Sequence, residues 1–348
     1  MKKVLYISNI QVPYRARFFD LLAEECDLTV LYERSQAGSR DMTWAQSVTG
    51  KYKKEFLDGI KIGNESSFSL RIIKYLTKDY DTIILGCYST PAQIFANLFL
   101  RLIKKTFIMN FDGEIFADDG SLKSHLKRFL IDGASKYLIA GEYAKKSLEK
   151  IVKTKPIFPY YFSSLSKQEL EEHKNMGGRE EFALVVGQYY QYKGMDVAVE
   201  AARLLPRLKF KFVGMGTRTK EFISETCADK LRNVEIVPFL QKVDLEKEYR
   251  KCKMLILPTR QECWGLVVNE AASFGTPIIS TNGSGAAIEF LFEKYPFLLA
   301  EPGNAENLAE VIESAWTMEI KELTDYLIRK SEKYNLEFNV ECHVKAFQ

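Results

Sequence analysis

The sequence predicts an α/β protein made of two doubly wound, parallel-sheet domains in series. Short apolar segments alternate with amphipathic segments of helical period in the first half of the chain, and the alternation stops and restarts in the second half. This alternation is typical of βαβ units. The predicted strands are almost entirely apolar, as expected for strands covered by helices on both faces. A length of 348 residues suits two domains of ordinary size.

In the first half, each predicted strand is a short apolar run, and each predicted helix carries apolar residues three or four positions apart. The predicted strands are Val4–Ser8, Leu28–Tyr32, Thr82–Gly86, Phe107–Phe111 and Tyr137–Ala140. The predicted helices are Tyr14–Glu25, Pro91–Lys104, Leu122–Ile131 and Tyr143–Val152.

A break follows, and the pattern then restarts. Residues 156–162 are rich in proline and aromatic residues, and residues 163–179 are polar with two consecutive glycines, which predicts a linker. We therefore expect domains at residues 1–165 and 166–330. The predicted strands of the second domain are Phe182–Val186, Phe210–Val213, Val234–Val237, Met254–Leu257 and Pro277–Ser280. Its predicted helices are Gly194–Leu205, Thr219–Ala228, Asp244–Arg250, Leu266–Phe274 and Asn304–Trp316.

The composition is that of a globular chain. With 46% hydrophobic and 27% charged residues, it excludes a disordered tail protein, a collagen-like fibre and a disulfide-stapled miniprotein. The six cysteines form no C-x-x-C pair, so we expect free thiols in a reducing compartment rather than a zinc knuckle or a redox dithiol. We see no signal peptide and no apolar run near the about 18 residues of a membrane-spanning helix. We expect a cytoplasmic protein that is soluble or at most peripheral to a membrane.

Charge is unevenly distributed along the chain. Residues 1–165 hold 25 Lys and Arg against 18 Asp and Glu, whereas the remainder holds 24 against 28. The two halves therefore suit different partners. Residues 98–105 and 122–130 are basic and amphipathic, which fits either contact with anionic lipid headgroups or ordinary helices with lysines in solvent. Nucleic acid is not expected, because no recognised binding module is present and the net charge is only +3.

The most informative stretch is residues 255–270. A predicted strand ends near Pro258, a polar loop carries Arg260 and Glu262, and a helix that carries Glu270 begins near Gly265. The first N–H groups of a helix lack intrahelical partners and carry partial positive charge, which suits a phosphate. Carboxylates suit sugar and ribose hydroxyls, because they offer several acceptor lone pairs and no donor. The alternative is two solvated glutamates around an ordinary turn.

A second motif, residues 185–196, follows the first strand of the second domain, where a phosphate-binding turn belongs. Lys193 would stabilise the negative charge that gathers on a leaving diphosphate, unless it is only an exposed lysine at a helix start. Gln188 is a neutral donor in the same loop.

Two features of the first domain complete the candidate site. Asp112 follows a predicted strand and would orient a hydroxyl, or it forms a plain Asp-Gly turn. In the first strand–helix loop, residues 8–17, Tyr14 and Arg15 are candidates for contact with an acceptor. Asp118-Asp119 fits a surface acidic loop better than a metal site.

Residues 255–277 resemble the signature of retaining family 4 glycosyltransferases. Glu262 and Glu270 form an E-x7-E pair, with Leu257-Pro258 before it and the sequence Ala-Ala-Ser-Phe-Gly-Thr-Pro after it. Residues 9–19 resemble the corresponding segment of the family branch that acts on bacterial surface polysaccharides. The resemblance covers nearly the whole chain. It implies the GT-B fold, with an acceptor-binding N-terminal and a nucleotide-sugar-binding C-terminal Rossmann-like domain facing across a cleft. It further implies that residues 331–348 form a helix that crosses back to the N-terminal domain, and that no metal or other cofactor is required.

The resemblance also assigns roles to residues. Lys193 would hold the donor diphosphate, Glu262 the transferred sugar and Glu270 the ribose. Gln188 stands where the family has an arginine, and Arg260 is the candidate to compensate. Asp112 stands where much of the family has a histidine, so a mechanism that needs histidine at this position is excluded. The predicted catalytic residues are Asp112, Lys193 and Glu262, and the predicted donor-binding residues are Gln188, Lys193, Arg260, Glu262, Cys263, Trp264, Gly265, Leu266 and Glu270.

We therefore predict a metal-independent, retaining hexosyltransferase of the EC 2.4 type. It would move a hexose or N-acetylhexosamine from a nucleotide diphosphate sugar, with a UDP-sugar favoured, to a saccharide hydroxyl. The expected acceptor is a lipid-linked precursor of a surface polysaccharide at the inner face of the cell membrane. Two alternatives remain open. One is a nucleotide-sugar epimerase of the same fold. The other is a non-catalytic partner subunit, which is supported only by the absence of the family's arginine at Gln188.

Overall fold

The computed structural model describes residues 1–35, 50–63, 66–114, 116, 120–152, 154–173 and 178–347. They form two compact units. The first comprises Met1–Ser164 together with Leu336–Gln348, and the second comprises Leu165–Asn335. Within the described ranges, no helix is both long enough and apolar enough to span a membrane.

The first unit is built on a parallel sheet that has seven strands in the described part of the chain, in the order β3-β2-β1-β6-β7-β8-β9. A short antiparallel pair of strands, β4-β5, lies outside it. The strands β1 and β2 are buried along almost their whole length. The strands are β1 (Lys3–Ile10), β2 (Asp27–Arg34), β3 (Lys53–Phe56), β4 (Ile60–Ile62), β5 (Ser66–Phe68), β6 (Thr82–Leu85), β7 (Ile108–Phe111), β8 (Lys136–Ala140) and β9 (Ile157–Tyr160).

Helices pack against this sheet through their apolar residues. Pro13 and Pro91 each lie in the first turn of a helix, where a missing N–H leaves no hydrogen bond unmade. The side chains of Thr90 and Ser121 each cap the N-terminus of the helix that follows directly, Pro91–Leu102 and Leu122–Ile131. The helices are α1 (Pro13–Glu25), α2 (Ile72–Leu76), α3 (Pro91–Leu102), α4 (Leu122–Ile131) and α5 (Glu142–Glu149), and later in the chain α14 (Leu336–Phe347), which contacts α1 and β9.

The second unit is built on a parallel sheet of six strands among the residues described, in the order β12-β11-β10-β13-β14-β15. The strands are β10 (Glu180–Val186), β11 (Lys209–Val213), β12 (Val234–Val237), β13 (Cys252–Leu257), β14 (Ile278–Thr281) and β15 (Leu299–Ala300). The helices are α6 (Lys167–His173), α7 (Met195–Leu204), α8 (Thr219–Thr226), α9 (Lys242–Lys251), α10 (Leu266–Ser273), α11 (Gly285–Leu291), α12 (Ala305–Trp316) and α13 (Lys321–Ser331).

Both sheets have the same switch in strand order. In the first unit the chain runs outward from β1 through β2 to β3 and returns to β6 on the other side of β1. In the second unit it runs outward from β10 to β12 and returns to β13. In open parallel sheets, a crevice for ligands forms at the carboxyl ends of the two strands that flank such a switch. The sequence motifs follow β10 and β13, and the first strand–helix loop follows β1.

The core strands and most helices agree with the sequence-based expectations to within a few residues, but the predicted linker is wrong in two places. Ile157–Tyr160 forms β9, the edge strand of the first sheet, and Lys167–His173 forms α6. In the first segment, the apolar residues favour a strand despite the proline. In the second, the polar side chains are compatible with a helix and do not prevent one from forming. The pair at 118–119, interpreted as an acidic surface loop, lies outside the described residues.

Candidate functional site

The loops after β10 and β13 are in direct contact in the second unit. Gly194 has a left-handed backbone (φ +67°), and a Cβ atom at this position would lie 2.0 Å from the carbonyl oxygen of Pro258. The carbonyl oxygen of Tyr192 accepts hydrogen bonds from the backbone N–H of Arg260 and from the Thr259 hydroxyl, both at 2.8 Å. The absence of a side chain at residue 194 thus lets the two motif loops meet at the switch in strand order.

This contact brings Lys193 and Glu262 together. The Lys193 ammonium donates to Glu262 Oε1, and the two side chains are 19% and 18% exposed. The Glu262 backbone N–H donates to the carbonyl oxygen of Gly283 at 2.7 Å, which fixes the loop. The other carboxylate oxygen, Glu262 Oε2, is buried and has no hydrogen-bond partner among the described residues. A buried acceptor without a donor is costly unless a bound molecule supplies one.

The N-terminus of α10 lies directly after this loop. Gly265 precedes the helix with φ +106°, a backbone conformation that favours glycine. The Trp264 side chain is 3% exposed, and its Nε1–H donates to Asn269 Oδ1 at 2.7 Å. The indole therefore stabilises the helix start, so only the backbone of Trp264 remains as a candidate ligand contact. Leu266 begins the helix, and Cys263 presents an exposed thiol beside it.

Glu270 lies in the second turn of α10. Its Oε2 accepts a hydrogen bond of 2.9 Å from the hydroxyl of Tyr249, which is 1% exposed. Burial, together with the negative charge of Glu270, raises the pKa of Tyr249 well above its ordinary value. Tyr249 therefore stays a donor and fixes the carboxylate; sequence reasoning missed it, because its partner is 21 residues away.

The Arg260 side chain forms its hydrogen bonds with other residues of the second unit. Its guanidinium forms two hydrogen bonds with the Asp196 carboxylate, at 2.8 and 2.7 Å, and one with the carbonyl oxygen of Gln191 at 2.8 Å. Although burial acts to raise it, the pKa of Asp196 is lowered by Arg260. Gln188, which stands where an arginine was expected, is exposed. Asp196 is a further residue that the motif alone did not indicate.

In the first unit, Asp112 is the centre of a hydrogen-bond network. Its carboxylate is ion-paired with Arg15, and its Oδ1 accepts from Tyr160 at 2.6 Å and from Asn110 Nδ2 at 3.1 Å. Arg15 also donates to the Tyr6 hydroxyl at 3.0 Å. Burial of the guanidinium acts to lower its pKa, but the charge of Asp112 more than offsets this, and the pKa of Arg15 rises well above its ordinary value. Arg15 therefore stays protonated in its ion pair with Asp112.

The network borders a pocket of about 150 Å³ at the switch in strand order. Tyr14, Arg15 and Asp112 line it, and the Tyr14 ring also packs edge-on against Phe162, with ring centroids 5.8 Å apart. Arg17 points elsewhere, since its side chain is largely exposed and donates to the carbonyl oxygen of Ser164. The full lining is Ser8, Asn9, Ile10, Val12, Tyr14, Arg15, Gly86, Cys87, Gln93 and Asp112.

The helix α14 supports this network from behind. His343 is 2% exposed and lies between the rings of Phe18 and Tyr160, with each pair of ring centroids 4.7 Å apart. Burial lowers the pKa of His343 to about 4, so its ring is neutral at pH 7. Sequence reasoning missed both His343 and Tyr160, because the first lies 231 residues from Asp112 (343 − 112) and the second lies in the segment interpreted as a linker.

Comparison with known proteins finds a family match for the second unit, to the glycosyl transferases group 1. Residues 166–334, most of the second unit, match the model of that family. The chain is 26% identical over 185 residues to an uncharacterized glycosyltransferase of Methanocaldococcus jannaschii, covering 53% of this chain and 50% of the relative. It is 28% identical over 158 residues to the lipopolysaccharide glucosyltransferase WaaG of Escherichia coli, covering 44% and 42%. These matches thus span half or less of each relative's length.

A solved structure extends the likeness in fold to the whole chain. HepE of Anabaena, in complex with UDP and glucose, is similar over 99% of this chain and 99% of its own, with a TM-score of 0.67 and 14% identity. The predicted fold class, α/β with two Rossmann-like parallel-sheet domains of the GT-B type, is confirmed.

Proposed function

We propose that this protein is a retaining glycosyltransferase that moves a hexose or N-acetylhexosamine from a nucleotide diphosphate sugar to a saccharide hydroxyl. The second unit binds the donor and the first unit binds the acceptor. The match of residues 166–334 to the glycosyl transferases group 1 supports the class of reaction. The observation that carries the proposal within the structure is the Lys193–Glu262 pair beside the N-terminus of α10.

Glu262 is the contact for the transferred sugar. Its buried Oε2 lacks a hydrogen-bond donor among the described residues, and a sugar hydroxyl is a donor of the right kind. Because Lys193 holds Oε1, the carboxylate is already oriented before the ligand arrives, which reduces the entropy lost on binding. Glu262 thus serves as a fixed acceptor for one or more hydroxyls of the donor sugar.

The donor diphosphate lies between Lys193 and the backbone N–H groups that begin α10. Lys193 and these N–H groups supply positive charge where the leaving diphosphate becomes more negative. They are already in place, so they need no reorganisation as the bond between the sugar and the diphosphate breaks. Arg260 is engaged by Asp196, and Gln188 is neutral and exposed. Lys193 is therefore the main side-chain contact of the diphosphate. In this proposal Lys193 and the helix N-terminus stabilise the charge of the leaving group, and the reaction requires no metal.

Glu270 binds the ribose hydroxyls through its carboxylate, with Tyr249 holding one oxygen in place. We assign UDP as the nucleotide part of the donor; the similar fold of a protein solved with UDP and glucose supports this choice. In the reaction, the bond between the anomeric carbon and the diphosphate oxygen breaks, and UDP leaves with the electron pair. The acceptor oxygen bonds to the same face of that carbon, and its proton passes to a phosphate oxygen of the leaving UDP. Asp112 orients the acceptor by accepting hydrogen bonds from its hydroxyls.

The test is a thermal-shift series with UDP, GDP, ADP and dTDP on the wild type and on Glu270→Ala. A ligand that binds only the native state raises the melting temperature. We expect UDP to give the largest rise, and Glu270→Ala to lose most of it. If no nucleotide at millimolar concentration stabilises the wild type, the donor site is absent, and the alternative of a non-catalytic partner subunit replaces this proposal. Hydrolysis or epimerisation of the donor without any acceptor would instead favour the epimerase.

We further propose a lipid-linked acceptor at the inner face of the cell membrane. Leu102, Leu122, Leu126 and Phe129, near the end of α3 and along α4, are 50% to 91% exposed. Arg101 and the lysines and arginines of residues 104–105 and 123–128 accompany them. Apolar side chains among cations fit an interface with anionic headgroups.

The membrane proposal is tested by flotation with vesicles of phosphatidylglycerol and phosphatidylcholine. We expect binding that increases with the anionic lipid content and falls on Leu122→Ser/Leu126→Ser. The matched control is Leu204→Ser in the second unit, where the leucine is 53% exposed. Equal binding of all three proteins, or no binding to anionic vesicles, would contradict a membrane-associated acceptor.

A further inference from the structure

The pocket of the first unit lies at the switch in strand order, and its charged lining residues form one ion pair. Ser8, Asn9 and Ile10 reach it from the end of β1, Gly86 and Cys87 reach it from the end of β6, and these two strands flank the switch in strand order. In the described part of the chain, the ionised side chains that line it are Arg15 and Asp112. The two form one ion pair, so the lining has no net charge.

Both partners of the ion pair line the pocket, and the negative partner is the more exposed. The Asp112 side chain is 29% exposed, whereas that of Arg15 is 11% exposed. Arg15 is satisfied by Asp112 and by the Tyr6 hydroxyl. A phosphate or carboxylate that enters the pocket therefore meets a carboxylate before it meets a cation.

Asp112 nevertheless retains capacity to accept hydrogen bonds. Tyr160 and Asn110 donate to Oδ1, and Arg15 donates to Oδ2. An ionised carboxylate offers about four lone-pair sites, so these three bonds leave room for one more donor. A sugar hydroxyl can provide it, whereas a fully ionised phosphate has no proton to donate.

We propose that the Arg15–Asp112 ion pair makes this pocket select neutral saccharides and reject phosphorylated or carboxylated ones. This inference rests on the proposed function, because it names the chemical class of the acceptor bound at the first unit. Asp112 has two effects: it accepts a hydroxyl, and it cancels the charge of an arginine that would otherwise attract an anion. Selectivity then depends on the charge at residue 112 rather than on the shape of the pocket.

The experiment observes the pocket directly and requires no transfer reaction. Methyl-labelled protein is titrated with methyl α-glucoside and with glucose 6-phosphate, and the methyl resonances of Ile10 and Val12, which line the pocket, report binding there. In the wild type we expect the neutral sugar to shift these resonances and to bind at least about tenfold more tightly than the phosphorylated sugar. Asp112→Asn leaves Arg15 uncompensated and should reverse the preference. Arg15→Gln/Asp112→Asn removes both charges and should abolish the gain for the phosphorylated sugar.

Two controls make the outcomes decisive. Asp132→Asn breaks a more exposed ion pair of the first unit, with Lys155 at 3.0 Å, and should leave the preference of the wild type unchanged. Unshifted methyl resonances elsewhere in each variant show that it is folded. The inference is overturned if wild type binds glucose 6-phosphate as well as the neutral sugar, if neither sugar shifts Ile10 and Val12, or if folded Asp112→Asn gains no affinity for the phosphorylated sugar. Failure of the proposed function is seen separately, as loss of nucleotide binding in the thermal-shift series.

Discussion

Lys193 and Glu262 form an ion pair in which one carboxylate oxygen is held and the other has no hydrogen-bond partner among the described residues. The pair spans 69 positions of sequence and exists because the loops after β10 and β13 touch at Gly194 and Pro258. In the proposed function, Lys193 orients the carboxylate that binds the sugar and also contacts the diphosphate, so it couples the two halves of the donor. The proposed chemistry of the second unit depends on this relationship.

Replacement of the carboxylate tests that relationship. Glu262→Gln keeps the size of the side chain but removes the charge that pairs with Lys193 and one of the two acceptor oxygens. We expect transfer to fall by at least about 100-fold, as for loss of a preorganised electrostatic contact, with the melting temperature little changed. The measurement is the initial rate of sugar transfer from UDP-sugar.

The matched control is Glu248→Gln. Glu248 pairs with Lys211 at 2.9 Å, and the two side chains are 19% and 20% exposed, nearly as in the Lys193–Glu262 pair. We expect this variant to transfer sugar at the rate of the wild type. A similar loss in both variants would mean that broken ion pairs, rather than the donor site, account for the effect.

Tyr249→Phe tests whether Glu270 needs its buried partner. The variant removes only the hydroxyl that donates to Glu270 Oε2, and a hydrogen bond to a charged group contributes about 1.5–3 kcal/mol. We expect the KM for the donor to rise about tenfold with little change in kcat, because the ribose does not react. Tyr326→Phe, which removes a hydroxyl bonded to the Phe290 carbonyl oxygen at 2.9 Å, is the control and should leave the KM unchanged. A fall in kcat alone would contradict a ribose-binding role.

The sequence predicts the core of both sheets well, for a physical reason. Buried parallel strands such as β10 and β13 are continuous apolar runs, and this signal is local. β9 was missed because Pro159 was interpreted as part of a linker, yet proline is tolerated in the edge strand of a sheet. The short strand Lys53–Phe56 lies at the opposite edge and is mostly polar, so it carries no apolar pattern.

The candidate site was predictable only in part, again for a physical reason. The motif residues Lys193, Glu262 and Glu270 follow strands, so their position at one edge of the sheet follows from topology. Their partners do not, since Asp196 pairs with Arg260 across 64 positions and no local pattern indicates the pairing. Arg260 was the candidate to compensate for Gln188, and only the three-dimensional structure reveals that Asp196 holds its guanidinium.

Gly194→Ala tests the contact between the two motif loops. A Cβ atom at Gly194 would meet the Pro258 carbonyl oxygen at 2.0 Å, and the backbone has φ +67°. The left-handed conformation alone costs about 1–2 kcal/mol for a residue with a side chain, and the clash adds to this. We expect the free energy of unfolding to fall by more than about 3 kcal/mol, measured by chemical denaturation, and nucleotide binding to weaken.

Gly216→Ala separates backbone strain from the clash. Gly216 has φ +56°, and nothing lies within 4 Å of its added Cβ. We expect a loss of about 1–2 kcal/mol only. Equal losses in the two variants would mean that the contact with Pro258 relaxes freely, and that the loops do not require glycine at residue 194.

His343 predicts how stability depends on pH. Burial lowers its pKa from 6.5 to about 4 in the folded chain, so below pH 6.5 the unfolded chain binds a proton that the folded chain does not. The contribution of His343 to stability is therefore full above about pH 6.5 and falls as the pH drops toward 4. One proton over that range corresponds to about 1.4 kcal/mol per pH unit at most, or about 2 kcal/mol between pH 6.5 and pH 5. Denaturation of wild type and His343→Gln at both pH values measures the difference. We expect the variant to be less stable than the wild type at pH 6.5 but to lose less stability on acidification to pH 5. His125→Gln, at an exposed position of α4, should keep the pH dependence of the wild type. An unchanged slope in His343→Gln would show that this histidine is protonated in the folded chain and does not lie neutral behind Tyr160.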